Sequence, residues 1–203
     1  MTAQFKKALI IGAGRGTGRA LSKQLAAAGT TVTAVARTEA DLKSLAAENT
    51  NITPYVGDGA KEIAGDLLVD TKPDLLVLAG GITPQMGSFF EQDWETFSAT
   101  WNSDTKTAFE FLAAALNTPM APNSTIVTFS SGAAIGGSPL SGGYAGAKRM
   151  QHYLTNYTAW ESEQRNLGLR CFTVYPKQFI ADTVTAKSAC EAYAAARGVS
   201  PEQ

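Results

Sequence analysis

The sequence predicts a single α/β domain over residues 1–203, built on a doubly wound and mostly parallel sheet. Short apolar segments alternate with helical patterns along the chain. The first apolar segment, residues 6–11, runs directly into a glycine-rich turn that opens a helical pattern. A later segment, residues 74–79, is apolar throughout, which is typical of a strand buried on both faces of a parallel sheet.

The remaining elements follow in the same alternation. We predict further strands at residues 31–35, 51–56, 124–129 and 168–175, with helices at 89–116, 143–166 and 186–197. A break is expected near Asn102 in the first of these helices. Trp94, Phe97 and Trp101 have helical spacing, which favours a place in the core.

Composition narrows the classes of function. The formal net charge of -1 offers no general basic field for nucleic acid. No apolar run approaches the roughly 18 residues of a membrane span, and the polar first residues do not form a signal peptide. Two cysteines and one histidine, His152, leave little for a metal site or a histidine triad. We therefore expect a soluble cytoplasmic protein without metal, membrane or nucleic-acid partners.

The turn after the first strand carries Gly12, Gly16 and Gly18. The spacing Gly-x-Gly-x-x-Gly would need glycine at Thr17, whereas the spacing Gly-x-x-x-Gly-x-Gly is met. Glycine lets a backbone approach a ligand closely, and free N–H groups at a helix start favour a phosphate. The turn is therefore a candidate phosphate-binding loop.

A second candidate site follows the strand at residues 124–129. Ser131 comes at the strand end, and a glycine-rich loop then leads into a helix that starts near Gly143. Tyr144 and Lys148 are four residues apart and share one helix face. A nearby ammonium favours the phenolate, so the tyrosine can exchange a proton, and Ser131 can hold a substrate oxygen.

With these motifs in this order, the chain resembles the short-chain dehydrogenase/reductase family. The resemblance rests on the spacing of Gly12, Gly16 and Gly18, and on Ser131 standing 13 residues before Tyr144, with Lys148 following. It extends over about residues 6–185. It implies reversible hydride transfer between a nicotinamide cofactor and a small carbonyl compound or alcohol.

The resemblance also assigns residues. It implies a catalytic group formed by Asn102, Ser131, Tyr144 and Lys148, in which Asn102 supports a water-linked proton path. The residues it implies for the cofactor are Gly12, Arg15, Gly16, Thr17, Gly18, Arg37, Thr38, Asp58, Gly59, Ala79, Gly80, Tyr144, Lys148 and Pro176.

The end of the second strand bears on the choice of cofactor. In nicotinamide folds an acidic residue there holds the ribose of NAD, whereas arginine suits the 2′-phosphate of NADP. Ala36 and Arg37 occupy this turn, no carboxylate precedes Glu39, and Arg15 adds a second cation. We therefore expect NADP(H), with NAD(H) as the less favoured alternative.

The chain departs from the family pattern at several positions. Val77 and Leu78 replace two asparagines, and Lys177 replaces the glycine that usually follows Pro176. A closing seventh strand is missing. Thr183 and Thr185 are both candidates for a contact to the nicotinamide amide.

Three further expectations concern the substrate, the oligomeric state and the alternative to an enzyme. Apolar residues near the site favour an apolar carbonyl substrate, and we name Ile135, Pro139, Leu140 and Phe179. Family members form dimers through the helix after Asn102 and the helix of Tyr144, so a homodimer is expected. The alternative to an enzyme is a cofactor-binding regulatory or scaffold protein that has lost turnover.

Overall fold

The computed structural model describes residues 4–118, 120–177 and 183–200. Six parallel strands form one sheet in the order β3-β2-β1-β4-β5-β6. The strands are β1 Lys7–Ile11, β2 Thr31–Ala36, β3 Ile52–Val56, β4 Leu75–Leu78, β5 Thr125–Phe129 and β6 Arg170–Val174. The predicted single α/β domain with a parallel sheet is confirmed. No seventh strand occurs among the described residues.

Helices connect the strands. They are α1 Gly16–Ala27, α2 Glu39–Ala46, α3 Ala64–Thr71, α4 Trp94–Thr100, α5 Lys106–Asn117, α6 Ala133–Gly136, α7 Tyr144–Gln164 and α8 Val184–Arg197. A π-helical turn, Trp101–Thr105, joins α4 to α5. This turn is the break that the sequence predicts near Asn102, and it changes which side chains face inward.

Alternating side chains of the strands supply two separate cores. In β1, Ala8 and Ile10 pack with α1 and α2 on one face of the sheet. Leu9 and Ile11 pack with α3 and α5 on the other face. This period of two is the reason that helices cover both faces of the sheet.

Two of the aromatic residues predicted to be core are on the surface. Trp94 is 77% exposed and Trp101 is 46% exposed, so the prediction is wrong for both. Trp94 stacks on the partly buried Phe97 with ring centroids 5.9 Å apart. Helical spacing places residues on one face but does not say what covers that face. Among the described residues, no helix is both long and apolar enough to cross a bilayer.

Candidate active site

A large cleft lies where the strand order reverses. β1 has β2 on one side and β4 on the other, so the loops leaving β1 and β4 diverge at their carboxyl ends. Such a switch point is the usual ligand site of an open parallel sheet. The cleft has a volume of about 860 Å³ and is lined by residues of β1, β2, β4, β5, α7 and α8 and their loops.

The glycine loop forms the floor of the cleft at the end of β1. Gly12 has a φ of +86°, and a Cβ there would lie 2.3 Å from Cα of Gly80. A Cβ on Gly18 would lie 2.2 Å from the oxygen of Gly12. Glycine is therefore required at both positions by contact with backbone. Gly12 and Gly16 line the cleft, whereas the buried Gly18 lets α1 approach the loop from below.

Polar and charged side chains surround one end of the cleft. Of the residues predicted to bind cofactor there, Arg15, Thr17, Arg37, Thr38, Asp58 and Gly59 all line it. Asp58 is held by a 3.1 Å hydrogen bond that its Oδ1 accepts from the N–H of Ala60. Asp41 also lines this end, and sequence reasoning missed it. Its position in the first turn of α2, three residues past Thr38, was the available signal.

The three residues predicted for proton transfer come together at the other end. Ser131 follows β5, and Tyr144 and Lys148 lie on the first turns of α7; all three line the cleft. The Nζ of Lys148 is 5.7 Å from the ring centroid of Tyr144. Ser131 accepts a 3.2 Å hydrogen bond from the N–H of Ala133 at its Oγ. A hydroxyl, a phenol and a buried ammonium thus face one space.

Asn102 does not join this group. Its side chain is exposed in the π-helical turn, and its amide donates a 3.3 Å hydrogen bond to the hydroxyl of Ser98. The residue that reaches the cleft is Asp104, whose Oδ2 is 3.2 Å from Nζ of Lys148. The structure thus has Asp104, and not Asn102, at this place in the cleft.

A signal for Asp104 was present in the sequence. Ala108, Phe111, Leu112 and Ala115 form the buried stripe of α5. Asp104 is four residues before Ala108 and seven before Phe111, so it extends that stripe by one turn. Asn102 is seven residues before the exposed Phe109 and belongs to the outer face.

The apolar residues that the sequence predicts for the walls beyond Ser131 are not the ones that line the cleft. Ile135, Pro139 and Leu140 do not line the cleft, and Ile135 is 61% exposed. Phe179 lies outside the described residues. The lining residues are instead Ile82, Pro84, Met86, Ser138, Ser141 and Tyr193. The expectation of an apolar pocket made by Ile135, Pro139 and Leu140 is therefore wrong.

One hydrogen bond joins α8 to the loop after β5. The hydroxyls of Ser138 and Tyr193 are 2.9 Å apart. Thr183 caps α8, since its hydroxyl accepts a 3.2 Å hydrogen bond from the N–H of Ala186. Both Thr183 and Thr185 line the cleft, so the two candidates for an amide contact remain equal.

The main-chain segments that follow β4 and β6 complete the lining of the cleft. Ala79 and Gly80 after β4 line it, as do Pro176 and Lys177 after β6. The N–H of Gly132 donates a 2.8 Å hydrogen bond to the oxygen of Pro176, which ties this wall to the loop that carries Ser131. Lys177 is exposed and adds a cation to the rim.

His152 has no part in the cleft lining. Its ring lies between those of Tyr153 and Tyr175, with both centroid distances 5.6 Å. Burial, and then the charge of Arg149, lower the pKa of His152 from its usual value. These contacts place His152 on a face of α7 outside the cleft.

The sequence and fold were compared with known proteins. A sequence model described as "short chain dehydrogenase" matches residues 6–192. A carbonyl reductase [NADPH] 2 from Sus scrofa is 33% identical over 105 residues, which is 51% of this chain. The matched segment spans only 43% of that enzyme's length.

Solved structures share the fold over almost the whole chain. A short-chain dehydrogenase/reductase described as glucose/ribitol dehydrogenase from Brucella melitensis has a TM-score of 0.81, with 23% identity over 93% of this chain and 78% of that one. A 3-ketoacyl-(acyl-carrier-protein) reductase from the same organism, complexed with NADH, has a TM-score of 0.77. It is 22% identical and covers 97% of this chain and 91% of its own. At these identities the likeness concerns the fold.

Proposed function

The chain belongs to the short-chain dehydrogenase/reductase family, an oxidoreductase family, and from that premise we propose that it is an NADP(H)-dependent carbonyl reductase. The proposed reaction is reversible hydride transfer to a ketone or aldehyde, or from the corresponding alcohol. The observation that carries the proposal is the convergence of Ser131, Tyr144 and Lys148 on the cleft that begins at the glycine loop.

The cleft fits a nicotinamide dinucleotide. At Gly12 and Gly18 a Cβ would collide with backbone, and Gly16 has a φ of +54°, so main-chain atoms form the surface at the start of α1. That helix start favours a phosphate. Asp58 and Gly59 would hold the adenine end, and Ala79, Gly80 and Pro176 the nicotinamide end. The bound cofactor would supply the hydride.

Two arginines support NADP(H). Arg15 and Arg37 line the same end of the cleft and are both exposed, which suits the 2′-phosphate of the adenosine. Asp41 at this end favours the second candidate, NAD(H), because a carboxylate can accept hydrogen bonds from ribose hydroxyls. We prefer NADP(H) because Arg15 and Arg37 offer two cations to the 2′-phosphate at this end of the cleft.

The protein's own residues manage the proton. In the reductive direction Ser131 donates a hydrogen bond to the carbonyl oxygen and orients it. Tyr144 gives its phenolic proton to that oxygen as the carbonyl is reduced. Lys148 stabilises the phenolate that remains, since its ammonium is buried against the same helix turn.

The test is NADPH oxidation with a panel of ketones, aldehydes and sugars. We expect turnover of at least one compound, and loss of about 10²-fold or more in kcat for Tyr144→Phe. Tyr157→Phe is the matched control, because Tyr157 lies on the same helix, is 56% exposed and does not line the cleft. Equal activity of the parent and Tyr144→Phe contradicts the proposed role.

The second candidate is a cofactor-binding regulator without turnover. It is favoured by Lys177, which stands on the cleft wall in place of the family's glycine. NADPH binding by calorimetry, with no turnover of any panel compound, would establish this alternative. The intact group of Ser131, Tyr144 and Lys148 is the reason that we place it second.

We also propose that the enzyme is a homodimer joined through α5 and α7. These adjacent helices expose aromatic side chains: Phe109 (54%), Tyr153 (40%), Tyr157 (56%) and Trp160 (59%). A second copy of the same surface would bury them. Light scattering should give twice the chain mass of 21.3 kDa, and Phe109→Glu with Trp160→Glu should give the monomer.

A further inference from the structure

The candidate catalytic lysine has a buried counterion. Asp104 and Lys148 have side-chain exposures of 0% and 7%, and Oδ2 and Nζ are 3.2 Å apart. Away from water, an unpaired charge is costly, and attraction between opposite charges is strong. The ion pair therefore gives each of these buried groups a partner of opposite charge.

Asp104 is fixed in place by two further contacts. Its Oδ1 accepts a 2.9 Å hydrogen bond from the N–H of Ile82, in the loop after β4. Its main-chain oxygen accepts a 2.9 Å hydrogen bond from the amide of Gln151, which is 1% exposed. Oδ2 forms an ion pair with Lys148 but no aligned hydrogen bond. The carboxylate of Asp104 thus contacts the β4 loop through Oδ1 and the ammonium of Lys148 on α7 through Oδ2.

The surroundings identify Asp104 as the anion that acts on Lys148. Among the described residues, Asp104 is the acid paired with this lysine. The other segments packed around the pair contribute no charge at this point: Gly81 and Ile82 from the β4 loop, and Ser130 and Ser131 from the end of β5. The other ionisable side chains that line the cleft are Arg15, Arg37, Asp41, Asp58, Lys177 and Tyr193.

We propose that Asp104 is a positioning residue that, as the counterion of Lys148, sets the pH at which Tyr144 exchanges its proton; this rests on the proposed function of Tyr144 and Lys148. The Nζ of Lys148 is 5.7 Å from the Tyr144 ring centroid. An isolated ammonium at that place stabilises a phenolate strongly. The carboxylate 3.2 Å away offsets part of that field, so Tyr144 keeps its proton to a higher pH than it would beside lysine alone.

The decisive experiment is an NMR titration of protein labelled with ¹³C at the tyrosine ζ carbon. Tyr144→Phe assigns the resonance among the 6 tyrosines. Asp104→Asn keeps the acceptor for the N–H of Ile82 but removes the charge. We expect the NMR titration midpoint of Tyr144 in Asp104→Asn to lie about 0.5 pH unit or more below that of the parent. Asp104→Glu, which restores the charge, should return the midpoint to within about 0.3 unit of the parent.

The pH dependence of the steady-state rate provides a second test of the role of Asp104. In the direction of alcohol oxidation, the acid limb of the pH–rate profile of Asp104→Asn should shift down with the NMR midpoint, and Asp104→Glu should reverse that shift. If Asp104 had a purely structural role, all variants would be less stable, but neither the NMR midpoint of Tyr144 nor the acid limb of the pH–rate profile would move. An unchanged or raised midpoint in a folded Asp104→Asn protein overturns the proposal.

The outcomes separate this proposal from the proposed function. If the parent reduces no carbonyl compound, the proposed function fails, and the NMR titration still decides the role of Asp104. If Asp104→Asn does not fold, Asp104→Ser takes its place, since its smaller side chain leaves space for water beside the ammonium. Failure of both to fold while Asp104→Glu folds overturns the proposal, because the carboxylate is then needed for structure.

Discussion

The hydroxyl of Ser130 donates a 2.7 Å hydrogen bond to the main-chain oxygen of Lys148. Ser130 is 6% exposed and directly precedes Ser131, so this bond fixes the end of β5 against the first turns of α7. The buried side chain of Ser130 thereby sets the distance between Ser131 and the first turns of α7, and it has no proposed role in proton transfer.

We expect Ser130→Ala and Ser131→Ala to have different effects. Loss of the Ser130 hydrogen bond should lower the free energy of unfolding by about 1 kcal/mol, because that is the usual net worth of one such bond. Ser131→Ala loses a longer, 3.2 Å bond at a partly exposed site, so it should cost less stability than Ser130→Ala. It should lower kcat about 10-fold or more, because the substrate oxygen loses a donor. Denaturant unfolding and steady-state kinetics measure the two effects; the reverse pattern would contradict these assignments.

The glycine loop should not tolerate a methyl group at Gly12. The φ of +86° and the 2.3 Å approach to Gly80 predict a loss of about 2–6 kcal/mol for Gly12→Ala. Gly65→Ala is the control, since a Cβ in α3 meets nothing within 4 Å and its φ is not positive. That change should stabilise the protein by about 0.5 kcal/mol. Thermal and denaturant unfolding compare the two variants.

Arg37→Ala should discriminate between the two nicotinamide cofactors. A lost charge-assisted hydrogen bond to the 2′-phosphate predicts an increase of about 10-fold or more in the Kd of NADPH. The Kd of NADH should change little. Fluorescence titration measures both constants, with Arg165→Ala, an exposed residue after α7, as control. Equal weakening of both cofactors would place Arg37 away from that phosphate.

Glu48 should stabilise the fold only above acidic pH. Hydrogen bonds and charge from Lys23 and Arg19 lower the pKa of Glu48 below its ordinary value of 4.5, and each ion pair spans 2.6 Å. Because the folded-state pKa is the lower one, the stabilisation is complete above about pH 5. It is lost as the pH falls through the folded value. Melting temperatures of the parent and Glu48→Gln should therefore differ at pH 7 and converge toward pH 3. Glu163→Gln, an exposed change on α7, should show no such convergence.

Cys171 should react slowly in the folded protein. Burial raises the pKa of its thiol to about 11, so only about one thiol in a thousand is ionised at pH 8. Alkylation by iodoacetamide, followed on the Cys171 peptide by mass spectrometry, should accelerate as the pH approaches 11. In urea the same peptide should react rapidly at pH 8. Rapid labelling of the native protein at that pH would contradict the burial.

Much of the fold could be predicted because its signals are local. The apolar run of β1 before the glycine turn, the uniformly apolar β4 and the glycines at positions 12, 16 and 18 each depend on a few neighbouring residues. The meeting of Ser131, Tyr144 and Lys148 was predicted from the helical spacing of the last two, the place of Ser131 at a strand end and the resemblance to the family.

The failures have a different cause. The choice of Asn102 relied on residue type, whereas the buried stripe of α5 extends back to Asp104, which faces Lys148. Trp94 and Trp101 show that helical spacing cannot distinguish a face covered by this chain from an exposed one. Asp41 was missed because its approach to the glycine loop, where a Cβ on Gly14 would lie 3.4 Å from its own, is a contact between segments distant in sequence.

The bond between Ser138 and Tyr193 has a practical consequence. The hydrogen bond between these hydroxyls holds the wall that α8 contributes. The candidate acid, Tyr144, and the neighbouring cation, Lys148, lie on the first turns of α7. In the proposed enzyme we therefore expect changes at Ser138 and Tyr193 to alter substrate preference while Ser131, Tyr144 and Lys148 stay in place.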